Sequence, residues 1–124
     1  MSVQQTLCRL DEIEDGGSKG LWPDMRGRAL VFAVRQGDRV RAFINVCPHY
    51  GRTRLGWKKD EFLNAGGDKI ICSAHGALFE VDDGKCTLGP CLGQSLEKLA
   101  TIVQGGNVVA NLADLPDRRP EIRS

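Results

Sequence analysis

An all-β domain is what the chain predicts, and three observations predict it. Residues 28–34 (RALVFAV) and 40–46 (VRAFINV) are rich in β-branched and aromatic side chains, which suit a pleated, half-buried surface. Between them, QGDR at 36–39 offers the Gly-Asp chemistry of a tight hairpin turn. No stretch long enough for a stable helix carries apolar residues at helical spacing; 60–64 suits one turn at most.

The remaining elements follow from the same signals. Strands are expected at 4–13, 69–72, 77–81, 96–103 and 107–112, with Gly105-Gly106-Asn107 turning the last pair and Asp82-Asp83-Gly84 forming another turn. Short strands joined by glycine-rich turns suit a sandwich or a small barrel. Trp22, just before Pro23, is expected to pack at a loop, and Cys8 to be a core thiol. The tail at about 113–124 (ADLPDRRPEIRS) is expected to run over the surface or fray.

At 124 residues the expectation is one domain, too small for two substrate-binding lobes. Seventeen basic residues against 16 acidic leave no global field, which argues against a nucleic-acid or membrane-surface partner. No apolar run approaches the roughly 20 residues a spanning helix needs, and the start of the chain resembles no signal peptide. A soluble, cytoplasmic protein is therefore expected, and its five cysteines should be thiols or metal ligands rather than a disulfide framework.

Two short motifs carry the chemistry. The chain has two histidines, and each follows a cysteine: Cys47-Pro48-His49 directly after the strand ending at Val46, and Cys72-Ser73-Ala74-His75 directly after Lys69-Ile70-Ile71. Loops at strand ends can bring two Cys/His pairs together while the strands hold the backbone still. Taken alone, these four residues also fit a tetrahedral structural zinc site, although zinc modules more often use paired C-x-x-C knuckles.

The order Cys-x-His, then Cys-x-x-His, then Gly89-Pro90 resembles the Rieske 2Fe-2S family over residues 28–112. The stretch 40–49 is similar to the strand entering the first ligand loop. CSAHGALFEVDDG at 72–84 is similar to the second, and Gly89-Pro90 to the third loop that covers the cluster. The resemblance implies a Rieske-like antiparallel β-sandwich with a cluster-binding subdomain at about 46–92, formed by two ligand loops and a Gly-Pro loop. It implies one 2Fe-2S cluster, with Cys47 and Cys72 on one iron and His49 and His75 on the other. Glycines 51 and 76 beside the histidines would let backbone amides approach bridging sulfide.

The donor types have a physical reason. Two ferric ions, two sulfides and four thiolates sum to a doubly negative oxidised cluster, whereas two thiolates with two neutral imidazoles give a neutral one that accepts an electron more easily. That substitution raises the potential from about −400 mV to roughly −150 to +300 mV. High-potential family members add a disulfide and hydroxyl donors around the cluster. Here Arg52 and Ala74 stand at the disulfide positions, Ala77 at the serine and Phe79 at the tyrosine, so a low potential is expected.

The family resemblance implies a one-electron carrier, fed by an NAD(P)H-dependent reductase and feeding a terminal oxygenase or reductase. It implies no catalysis by the chain alone: both histidines are committed to the cluster, which leaves none for a mononuclear iron, and no dinucleotide-binding fingerprint is present. A cluster-based redox sensor is the alternative. The gap between His49 and Cys72 is longer than usual, and 56–67 (GWKKDEFLNAGG) is expected to be a solvated excursion with Trp57 tucked against the body. Cys86 and Cys91, on either side of Gly89-Pro90, are expected to be buried or half-buried thiols rather than a disulfide.

Overall fold

The strand-rich sequence closes into three small antiparallel sheets. The computed structural model describes residues 3–46, 60–64, 66–72, 76–89 and 92–117. In chain order the strands are β1 (Gln4–Arg9), β2 (Ser18–Pro23), β3 (Ala29–Gln36), β4 (Arg39–Ile44), β5 (Lys69–Cys72), β6 (Ala77–Glu80), β7 (Cys86–Leu88), β8 (Lys98–Leu99), β9 (Thr101–Gln104) and β10 (Asn107–Asn111). They pair as β1-β10-β9, β2-β3-β4-β8 and β5-β6-β7.

The sheet β2-β3-β4-β8 is the middle layer, and its composition explains why. Along β3, Val31 and Ala33 face one core with Cys8, Ile13, Leu21, Val108 and Ala110, while Phe32 and Val34 face the other with Ile70, Phe79 and Leu96. A strand covered on both sides needs apolar residues at consecutive positions, and LVFAV provides them. On the second face Phe32 stacks on Phe62, with ring centroids 4.5 Å apart, and lies 5.6 Å from Phe43. The result is a sandwich of two sheets with a third sheet laid on its back.

The main hairpin, the turn before Gly84 and the antiparallel sandwich agree with the sequence expectation. Four differences have identifiable causes. First, the strand expected to run to residue 13 stops at Arg9. There a 3-10 turn at Leu10–Glu12, held by the Glu12 carboxylate accepting from the Arg9 amide at 2.7 Å, swings Ile13 into the core. Second, the strand expected at 96–103 breaks at Ala100: β8 pairs with β4 and β9 with β10, so the chain changes sheets.

Third, Trp22 lies on β2, at φ +53, rather than in a loop. Its indole Nε1 donates to the Pro116 carbonyl at 2.8 Å, and Leu115 packs on the core beside it. The first residues of the tail are therefore docked; 118–124 lie outside the described residues. Fourth, the described part of the excursion, 60–64 and 66–67, is tied to the body at Phe62 and Leu63, although Glu61 and Gly66 are exposed. Phe62 is buried, Leu63 bridges to Ile70, and the Ile71 amide donates to the Phe62 carbonyl at 3.0 Å. Trp57 lies outside the described residues. Among the described residues no helix is long and apolar enough to cross a membrane.

Candidate metal centre

The second ligand loop grows from the β5–β6 hairpin. Its register runs from Lys69↔Glu80 through Ile70↔Phe79 to Cys72↔Ala77, so side chains two apart share a face. Ile70, Cys72, Ala77 and Phe79 all take the buried face and are fully inaccessible to solvent. At the open end Lys69 Nζ lies 2.7 Å from Glu80 Oε1, and this hydrogen bond raises the lysine pKa. At the closed end the Gly76 amide donates to the Cys72 carbonyl at 2.8 Å, and Gly76 turns the chain with φ +67, where a side chain would be strained. Cys72 is thereby fixed at the last paired position of a tight hairpin, with its thiol on the dry side.

The third loop closes over that point. From β7, whose Cys86 thiol is buried and donates to the Leu88 carbonyl at 3.3 Å, the chain reaches Gly89. A Cβ on Gly89 would lie 2.8 Å from Ala77 Cα, closer than atoms approach, and its φ of +106 again suits glycine alone. The glycine lets the third loop lie directly on the residue paired with Cys72. Pro90 and Cys91 lie outside the described residues.

The first ligand loop leaves from β4 and returns at Asp60. Asn45 is a buried polar residue two positions before Cys47; its amide donates to the Leu30 carbonyl and its Nδ2 to the Ala29 carbonyl, each at 2.9 Å. At the return, Asp60 Oδ1 accepts from the Gly20 amide at 2.8 Å, while the Ser18 hydroxyl donates to the Asp60 carbonyl at 2.8 Å and accepts from the Phe62 amide at 3.1 Å. Both anchors escaped the sequence reading. An asparagine before a Cys-Pro-His run and an aspartate after two lysines carry no local signal of a partner found elsewhere in the chain.

Of the four expected ligands, Cys72 is buried at the last pair of the β5–β6 hairpin, and Cys47, His49 and His75 lie outside the described residues. Among the described residues no group of three metal-ligating side chains occurs. Arg52 and Ala74 are likewise outside them, but Ala77 and Phe79 are buried beside Cys72, and neither carries a hydroxyl.

The model of the Rieske [2Fe-2S] domain matches residues 4–113. The chain belongs to the Rieske [2Fe-2S] family. Solved Rieske proteins share its fold. The ferredoxin of carbazole 1,9a-dioxygenase from Nocardioides aromaticivorans IC177 is 25% identical, with TM-score 0.66, over 89% of this chain and 98% of that one. A complex of reduced oxygenase and oxidized ferredoxin in carbazole 1,9a-dioxygenase contains a chain 24% identical, TM-score 0.66, covering 90% and 94%. The Sphingomonas yanoikuyae B1 ferredoxin is 19% identical, TM-score 0.66, covering 88% and 98%. A comparison with curated protein sequences gives no match.

Family membership makes the cofactor a Rieske 2Fe-2S cluster. The residues of this chain fit it: two Cys/His pairs would supply two thiolates and two imidazoles, and the one described candidate, Cys72, sits at a hairpin end under a glycine-shaped cover. When bound, such a cluster supplies a site that gains and loses single electrons. The protein would contribute the paired hairpin end at Cys72 and the close-packed glycine cover at Gly89.

Proposed function

We propose that the chain is a one-electron carrier, a ferredoxin-like component of an oxidoreductase system that is not catalytic by itself. Cys47 and Cys72 hold one iron, His49 and His75 the other, and the cluster-binding part spans about 46–92 of a single domain. The chain works in the cytoplasm, where an NAD(P)H-dependent reductase supplies the electron and a terminal oxygenase or reductase takes it. The observation that carries this is the family match over almost the whole chain, together with a histidine count that leaves nothing for a second iron site. Its fold neighbours include a ferredoxin and a terminal oxygenase of carbazole 1,9a-dioxygenases, which supports an oxygenase as acceptor.

The potential lies at the low end of the Rieske range. Ala77 and Phe79 take the places of a serine and a tyrosine, so two donors that would stabilise the reduced cluster are missing. The experiment is anaerobic purification, assay of iron and inorganic sulfide, and an EPR-monitored redox titration. Stoichiometric iron and sulfide with a midpoint below about +100 mV is the expected result. A colourless, zinc-containing protein would refute the carrier function.

A further inference from the structure

The chain leaves the middle sheet for the first ligand loop at Asn45, where the ladder is irregular. In a regular strand successive carbonyls point to opposite sides. At the start of β3 two successive carbonyls meet a single residue: the Asn45 amide donates to Leu30 and its Nδ2 to Ala29, each at 2.9 Å. The matching irregularity lies on β2, where Trp22, at φ +53, falls between the pairs Leu21↔Val31 and Pro23↔Ala29. A tryptophan keeps that left-handed backbone only under restraint, and its indole is bonded to the Pro116 carbonyl at 2.8 Å.

The Asn45 side chain takes over where the main chain turns away. The Ile44 amide still reaches across to the Glu97 carbonyl beside β8 at 2.9 Å, but the Val46 amide folds back onto the Ile44 carbonyl at 2.8 Å, a three-residue turn centred on Asn45. With the Val46 N–H so engaged, the side-chain amide supplies the bond to Ala29. Asn45 is also the one buried polar residue among the described ones. A carboxamide in that setting destabilises the fold unless its bonds are made, so the bonds fix its orientation. Only Val46 separates it from Cys47.

We infer that Asn45 is a positioning residue for Cys47: bonded across to β3 by main chain and side chain together, it sets the direction in which the chain leaves β4 and thereby the placement of the thiolate on iron. The inference rests on the ligand set proposed above. A sulfur held by contacts outside its own coordination bonds presents one geometry to the metal and releases it more slowly. Cys72 is held to the same end by other means, the paired end of a hairpin.

The test uses the cluster-loaded protein. N45D keeps the shape of the side chain but exchanges the Nδ2 donor for an acceptor, N45L keeps its bulk without a polar atom, and V108A opens the core on the opposite face of the middle sheet. Each is followed by urea unfolding, by the EPR g values and midpoint of the cluster, and by the rate at which a ferrous chelator removes iron. N45D and N45L should release iron about tenfold faster or more, with g values and midpoint displaced from wild type. A folded variant that takes up no cluster is the same effect at its limit. V108A should lose stability while g values and midpoint stay put, which separates placement of a ligand from stability of the fold. N45D or N45L with wild-type g values and midpoint would overturn the inference, and so would an equal displacement in V108A. Failure of both Asn45 variants to fold, with V108A folded, would assign the residue to the scaffold alone and overturn it as well. A wild-type protein without iron and inorganic sulfide fails the carrier function instead, and is recognised before any variant is made.

Discussion

The sandwich formed by β1–β4 and β8–β10 and the ligand region built on β5–β7 share one wall, the middle sheet, but are held by different means. In the sandwich, fit comes from interchangeable aliphatic residues at alternate positions, such as Val31, Ala33, Val108 and Ala110. In the ligand region it comes from glycines where nothing larger fits and from a thiol at a fixed place, as at Gly89 and Cys72. Volume-conserving exchanges should therefore pass unnoticed in the first region and fail in the second.

The sharpest break is at the cluster itself. Cys72→Ala, like His49→Ala or His75→Ala, should abolish cluster binding, read as loss of iron and of visible absorbance, while far-UV circular dichroism keeps its β signature. Next in size is the shared wall. Phe32 is fully buried and stacked on Phe62, so Phe32→Ala should cost about 3–5 kcal/mol in urea unfolding and destabilise both regions together.

Gly89→Ala separates crowding from conformation. Its methyl would meet Ala77 Cα at 2.8 Å in addition to the cost of positive φ, for a total of about 2–3 kcal/mol and faster cluster loss on dilution. Gly37→Ala, at φ +64 with open space around it, should cost about 1 kcal/mol and leave cluster retention unchanged.

The smallest effect belongs to the sandwich. Burial, and then Glu12, push the Cys8 thiol from 9.0 up to about 11, partly offset by Lys19. The folded state thus keeps a proton that the unfolded chain releases. The contribution is complete below about pH 9 and fades as pH rises from about 9 to 11. Cys8→Ala should flatten that part of the stability curve measured by denaturant titration.

What could be read in the sequence follows the same division. β3, β4 and β10 were legible because dense β-branched and aromatic runs have no other stable arrangement. β2 was not: SKGLWP holds a glycine and a proline, and it is a strand because it lies at the edge of its sheet, where Pro23 needs no ladder donor. β7 is too short to show a period. The ligand region was legible through chemistry, since Cys-x-His and Cys-x-x-His name a function without naming a shape. Phe62 was hidden among lysines and acids, and only its stacking on Phe32 reveals it as core. Asn45 and Asp60 depend on partners at least 15 positions away in the chain, a relation that local patterning cannot encode.

Those two anchors have a wider consequence. Asn45 clamps the chain as it leaves the middle sheet, and Asp60 rivets it back onto β2. With strand register set by these anchors on either side, residues between His49 and Asp60 can be gained, lost or exchanged without shifting β2 or β4. A lineage could edit that stretch freely as long as Cys47 and His49 at its start are inherited unchanged.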